Sequence, residues 1–438
     1  MNYSETAVDI FKAGIEGVKP DHLIRGNVLV HANKLTIGPH DFDLAAISRI
    51  YVVGAGKASG LMAKALEQVL GDLITCGTVV VKYGHSAPCR RIEMLEAAHP
   101  YPDAAGVAAT NKIVDLCRGA GEKDLVICLL SGGGSALLTD YPDGSNLDEL
   151  MKFSKMLVNS GASINEINAV RKHLSSVKGG QLARIAHPAR MVSLMLSDVV
   201  GDPLDVIASG PTVADTSTFG DAVNVLVKYG IDLTVPANLL QVLKNGCSGK
   251  VPETPKPGDP MLEHTANLII GRNKLALESG LRYAESKGLS GEIITDRLEG
   301  NTEEIAGMIV SRAVEFQKSM GLHKPYCLLF GGETTLKVTG NGLGGRNQHL
   351  ALKVAFLLKD LAGVIVLAGG TDGTDGPNDM AGAVVDCNTW RKAMDAGIDG
   401  KKYMADFDSF HFFQKAGGHV FTGPTMTNVM DMVIVILA

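Results

Sequence analysis

No run of about 20 apolar residues, the length needed to cross a bilayer, occurs in this 438-residue chain. A membrane span is therefore not expected. Nor is there a surplus of basic charge. Lys and Arg number 41 against 47 Asp and Glu, a formal net charge of −6, whereas a nucleic-acid-binding domain normally carries a basic surface. An anionic substrate must then be drawn in by local cations and backbone N–H groups, because the overall field does not help. The seven cysteines, at positions 76, 89, 117, 128, 247, 327 and 387, include no C-x-x-C pair, and Cys128 and Cys327 lie inside apolar runs. That pattern predicts reduced structural thiols in a cytoplasmic protein. The histidines lack H-x-x-x-H or related ligand spacing, so no zinc site is expected, and no G-x-S-x-G elbow is seen. The N-terminal stretch MNYSETAVDIFKAGIEGVKP has neither a basic n-region nor a long apolar h-region, which predicts no secretory leader. Its Val8, Phe11, Ile15 and Val18 have helical spacing instead.

What the chain does have is a repeated unit: a short β-rich run, then glycines, then a helical segment. Ile50–Val53 leads into Gly54-Ala55-Gly56, Leu125–Leu130 into Ser131-Gly132-Gly133-Gly134, and Met191–Leu196 into Ser197-Asp198. Tyr326–Phe330 leads into Gly331-Gly332-Glu333, and Val364–Ala368 into Gly369-Gly370-Thr371-Asp372. Near-continuous apolar runs of this length predict strands buried on both faces, as in parallel sheets built from βαβ units. In such α/β sheets ligands bind at the carboxyl ends of the strands, where these glycine-rich segments would gather. The stretch GCSGKVPETPKPGDPML over residues 246–262 carries four prolines and three glycines. It is read as a linker over 246–261 between an N-terminal domain, residues 1–245, and a C-terminal domain, residues 262–438.

Several segments can carry chemistry. Gly54-Ala55-Gly56-Lys57-Ala58-Ser59 opens a predicted helix, Ala58–Val69, yet is neither a full G-x-G-x-x-G nor a Walker A sequence. Lys57 in the first helical turn opposes the helix dipole unless an anion sits there; the alternative is that it points to water. Ser131-Gly132-Gly133-Gly134-Ser135 can form an anion-binding nest or a plain turn. Asp198 and Asp202 stand at a strand end, where a carboxylate can take a proton from a hydroxyl, hold Mg²⁺, or cap a helix. Arg346, behind Gly344-Gly345, precedes a predicted helix from His349 to Lys359 and repeats the cation-behind-glycines arrangement of Lys57. Asp372 and Asp375 lie in an acidic glycine loop that lacks EF-hand spacing; it could bind Mg²⁺ or a polar substrate, or form a solvated Asx turn.

These stretches, together with HPYPD at 99–103, EINAVRKHLS at 166–175, KGG at 178–180, ASGPT at 208–212, GGET at 331–334, GGRNQ at 344–348, GGTDGTDGP at 369–377 and TGPTMTNV at 422–429, resemble the type II glycerate kinases, the MOFRL family, along the whole chain. The resemblance implies a two-domain α/β fold. Its N-terminal domain is a Rossmann-like α/β/α parallel-sheet domain, and the smaller C-terminal α/β domain has a mixed sheet. It implies phosphorylation of D-glycerate by ATP with Mg²⁺ and places the catalytic residues on Lys57, Asp198 and Arg346. The nucleotide phosphates would then meet Gly54, Gly56, Ser131, Gly132, Gly133, Gly134 and Ser135. Substrate would meet Arg171, Lys172, Lys178, Glu333, Asp372 and Asp375, and metal would meet Asp198 and Asp202. Met426 and His349 depart from the family pattern, which often has glycine and an acidic residue there. A rival reading is an NAD(P)H-dependent hydroxypyruvate reductase; against it, the strand candidate after the first glycines, Gly77–Val81, ends in Lys82-Tyr83 and not in the ribose-binding acid. Oligomeric state stays open, a homo-oligomer included.

Overall fold

The structure, a computed structural model, describes residues 2–319 and 325–438. The chain divides into two compact units. The larger comprises Leu23–Ser197 and Asp202–Ile270; the smaller comprises the residues up to His22, Asp198–Gly201, and those from Gly271 on.

The larger unit begins with a small antiparallel sheet of β1 (Val28–His31), β2 (Lys34–Ile37) and β3 (His40–Asp43). Its main sheet contains β4 (Arg49–Ala55), β5 (Ile74–Lys82), β6 (Ile92–Ala97), β7 (Asp124–Leu130), β8 (Arg190–Leu196) and β9 (Thr265–Gly271) in the order β6-β5-β4-β7-β8-β9. Strands β4 to β8 pair in parallel. All seven residues of β7 are buried, because helices cover both faces of the sheet, and this is why Leu125–Leu130 reads as an unbroken apolar run. Strand order reverses between β4 and β7. In doubly wound sheets that reversal opens a crevice at the carboxyl ends, and the bends after these two strands are Gly56-Lys57 and Ser131-Gly132-Gly133. Four further helices, Leu147–Asn159, Ile164–His173, Phe219–Lys228 and Ala237–Cys247, bury Phe153, Leu157, Val170, Phe219, Leu226 and Leu243 in a core of their own. The helix Ile164–His173 starts at a capping box between Ser163 and Glu166.

The smaller unit holds β10 (Ser290–Asn301), β11 (Tyr326–Thr335), β12 (Val364–Gly370), β13 (Gly382–Asp386), β14 (His419–Val420) and β15 (Asp431–Leu437), ordered β10-β11-β15-β12-β13-β14. β10 and β11 are parallel, whereas β15 runs antiparallel to both β11 and β12. The sheet is therefore mixed. The apolar runs at Tyr326–Phe330 and Val364–Ala368 signalled cover on both faces but not direction, since the strand between them comes from the chain's far end. One face, which includes Phe330, packs on Leu350, Trp390 and Phe412. On the other lie the helices Tyr3–Gly17 and Asn273–Ser286, joined by a Tyr283–Asp9 hydrogen bond of 3.4 Å.

Two expectations about organisation change. The proline-rich segment does not act as a linker: Asp215 N–H donates to Pro255 O (2.8 Å), Thr254 Oγ1 to Asp215 Oδ2 (3.0 Å) and Arg184 Nη1 to Glu253 O (2.9 Å). These bonds strap it to the larger unit, and the unit boundary falls at Ile270/Gly271. The N-terminal helix belongs to the smaller unit, because its buried Ile10, Phe11 and Ile15 pack there.

Candidate active site

In the larger unit the two glycine bends are zipped together. Lys57 N–H donates to Gly132 O (2.9 Å) and Ser131 N–H to Ala55 O (3.2 Å). Gly56 takes φ +144°, and a Cβ there would strike Ser131, so only glycine allows the approach. The Ser131 hydroxyl is fully committed. Ser59 Oγ donates to Leu129 O (3.1 Å), so Ser131 donates to Ser59 Oγ (3.0 Å) and accepts the Ala58 N–H (3.0 Å). Ser131 is thus a buried clasp between loops and offers no side chain to a phosphate, contrary to the sequence expectation. Lys57 is half-buried. Its carbonyl meets His85 Nδ1 at 3.0 Å. A Cβ on Gly133, at φ +83°, would lie 2.9 Å from the His99 ring and 3.4 Å from Lys57 Cγ, so His99 shares this crevice. Burial, with the Lys57 and Lys82 charges, pushes the imidazole down to about 4, which keeps it neutral near pH 7. The sequence offered only a lone histidine here.

The other cations proposed for substrate behave differently from one another. Lys172 is buried, with Nζ 3.1 Å from Asp205 and 3.2 Å from Asp215, itself fully buried. Lys178 is buried too, donating to Leu138 O at 2.5 Å beside Asp140 at 3.7 Å; burial pulls its ammonium down. Both are structural, because their charge is spent inside the unit. Arg171 is half-buried, and burial pulls its guanidinium down. It remains the candidate for a substrate carboxylate.

In the smaller unit the register explains the site. Asp431 opens β15 opposite both Gly332 of β11 and Gly370 of β12, so it sits between the two glycine bends. Arg346 donates to it twice, Nε to Oδ2 at 2.6 Å and Nη2 to Oδ1 at 3.0 Å, while Nη1 lies 2.6 Å from Glu333 Oε1. Burial alone would pull the guanidinium down, but these carboxylates overcome it and raise it. Burial raises Glu333, opposed by Arg346 and aided by the charges of Asp431, Asp198 and Asp372. Asp198 therefore acts on the same electrostatic neighbourhood as Arg346. Asp431, not singled out from sequence, is the residue that aims Arg346.

Asp375 is also reassigned. It is 3% exposed and accepts the Asn347 and Gln348 N–H groups at 2.9 and 2.7 Å. It therefore caps the helix Arg346–Leu358 and leaves that helix end closed to phosphate. Glu333 pairs with Arg346 and is thus not a free substrate ligand. Asp372 folds into an Asx turn onto Thr374 N and Oγ1 (3.0 and 3.1 Å).

Residues 6–244 match the family described as "Domain of unknown function (DUF4147)", and residues 326–431 match the MOFRL family. A D-glycerate 2-kinase of Thermotoga maritima is 43% identical over 436 residues, 98% of this chain and 97% of that one. The chain belongs to the MOFRL glycerate kinase family. A crystal structure of glycerate kinase from Thermotoga maritima superposes on this MOFRL chain with a TM-score of 0.88 at 40% identity, covering 100% of this chain and 99% of that one. Another relative, from Agrobacterium vitis, 42% identical over 88% of this chain and 86% of its own, carries a provisional hydroxypyruvate reductase name. By family the chain is a kinase.

Among the described residues of this MOFRL member, no three His, Cys, Asp or Glu side chains are grouped to hold a metal. Asp202, at φ 56°, does carry a buried Oδ1 without a partner. One or two carboxylates suit a Mg²⁺ ion that arrives on nucleotide phosphates, so the donors fit that ion rather than a resident one.

Burial raises Asp375 to about 6. A folded value above the unfolded one means that its stabilising contribution, present at low pH, is lost as pH rises through about 6. Asp375→Asn removes that titration. Its melting temperature relative to the parent should climb between pH 4 and 7, by an amount equivalent to roughly 1–3 kcal/mol. A flat difference would show that Asp375 keeps its charge throughout.

Proposed function

We propose that this enzyme transfers the γ-phosphoryl group of ATP to the 2-hydroxyl of D-glycerate. The reading is carried by the pair of glycine bends that flank Lys57 at the reversal of strand order, supported by the family's named activity. Lys57 and Arg346 neutralise charge on the phosphoryl group in transit. Asp198 takes the proton of the attacking hydroxyl, and Arg171 holds the substrate carboxylate. Asp202, with Asp198, would hold Mg²⁺, which when bound shields the phosphate charge. Phosphoryl transfer asks for alignment and charge neutralisation more than covalent chemistry, and these residues supply both.

The direct test is incubation with D-glycerate and Mg-ATP, followed by ³¹P NMR to identify the phosphoglycerate isomer. Accumulation of 2-phosphoglycerate is expected; the 3-isomer or none would overturn the reading. Lys57→Ala should lower glycerate-dependent ADP release by about 10²–10³-fold, and turnover within a few-fold of the parent would remove Lys57 from its role. The reductase reading draws on the Agrobacterium vitis name. It predicts NADH consumption with hydroxypyruvate, although β5 ends at Lys82 with no carboxylate for the ribose.

A further inference from the structure

The hydrogen-bond chain Asn168–Ser209–Ser135, in the larger unit, has a definite proton direction. Ser209 Oγ donates to Asn168 Oδ1 at 3.1 Å, and the Ser135 and Ser209 hydroxyls are 2.8 Å apart. A hydroxyl carries one proton. Since Ser209 spends its proton on Asn168, Ser135 must donate to Ser209. The Ser135 oxygen is left with lone pairs only, and Ser135 is half-buried while Ser209 is fully buried. An oxygen that can only accept repels phosphate and suits an O–H donor. Ser135 is therefore misplaced among phosphate contacts, where the sequence had put it.

The surrounding backbone is built to hold this arrangement. Ala208 and Ser209 are consecutive non-glycine residues at φ 52° and 61°, a conformation that persists only where the surroundings impose it. Gly134 lets them approach: a Cβ there would lie 2.7 Å from Ala208 Cβ. Arg171 is three residues beyond Asn168 on the helix Ile164–His173, hence on the same face. The half-buried cation thus shares a helix face with Asn168, the residue that orients the half-buried acceptor.

We infer that Ser135, oriented through Ser209 and Asn168, accepts the hydrogen bond of the substrate's 3-hydroxyl, and so selects 2,3-dihydroxy acids over 2-hydroxy acids that lack that group. The inference rests on the kinase reading, in which the 2-hydroxyl proton goes to Asp198 and the 3-hydroxyl alone is left to donate. A site with a committed acceptor discriminates strongly against an analogue that cannot fill it.

The test compares D-glycerate with D-lactate, which has the carboxylate and 2-hydroxyl but no 3-hydroxyl. Calorimetric affinities for both are measured on the parent, on Ser135→Ala and on Ser135→Cys, which keeps the side chain's size, alongside glycerate kcat/KM. Ser135→Ala and Ser135→Cys should weaken glycerate by about 10- to 100-fold and leave lactate within about 3-fold, so that the preference between them collapses. Equal weakening of both ligands, or no change in either, would overturn the inference. A parent that binds glycerate but makes no phosphoglycerate would sink the kinase reading instead, while the affinity comparison still decides the role of Ser135.

Discussion

Arg346→Ala should reduce glycerate-dependent ADP release by about 10³-fold, the scale of an arginine that neutralises a transferring phosphoryl group. The structure complicates the experiment in a useful way. Arg346 is the bidentate partner of Asp431, whose side chain is 7% exposed. Removing only the cation leaves a buried carboxylate uncompensated, at about 3–5 kcal/mol. A dead Arg346→Ala enzyme could therefore be an unfolded one. The double variant Arg346→Gln, Asp431→Asn avoids this, since two neutral amides can still hydrogen-bond. It should melt within a few degrees of the parent and remain about 10³-fold slower. Double-variant activity within tenfold of the parent would remove Arg346 from the chemistry. Asp431→Asn by itself should lower kcat far more than it raises the KM for glycerate, because Asp431 orients the guanidinium and need not touch the acid.

The second large effect is on stability. Lys172→Met should destabilise the larger unit by about 3–5 kcal/mol, a fall in its unfolding midpoint on the order of 10 °C. The side chain is 4% exposed and bridges Asp205 to the fully buried Asp215. Asp215 also accepts from Ser217 and Thr254 and lies 3.8 Å from His173 Nε2, so its charge is woven into the strap that holds the proline-rich segment. Asp215→Asn in the Lys172→Met background should restore much of the loss, since the orphaned charge is then gone. Below its melting point Lys172→Met should keep a glycerate KM close to the parent's. A large KM increase without loss of stability would return Lys172 to the substrate.

The glycine bends of the candidate site were readable from local pattern. The strand–glycine–helix rhythm located both bends of the larger unit and set Lys57 and Arg346 behind glycines, although the helix start expected to take an anion at Arg346 is closed by Asp375. Other readings changed for a common reason. In sequence Lys172, Lys178, Glu333 and Asp375 look like available charges, but each meets a partner brought in from elsewhere: Asp215 at 43 residues' separation from Lys172, Leu138 at 40 from Lys178, Asn347 at 28 from Asp375. Asp431 went unnoticed because its partner Arg346 is 85 residues away, and the apolar run that follows it looks like any core strand. The signal in sequence is the end of TGPTMTNVMD, since a carboxylate at the mouth of a buried strand must be paired.

The sequence by itself determined which segments are buried strands, where the chain bends tightly beside a cation, and the family. Those properties follow from local periodicity and from the sterics of glycine, which act over a few residues. Only the tertiary structure decided which charges are paired within the protein, which way the hydroxyl protons of Ser131 and Ser135 point, and that β15 enters between β11 and β12 antiparallel to both. Each of these depends on a partner set by topology, and no local rule encodes the distance between two carboxylates and one guanidinium drawn from three separate strand and helix ends.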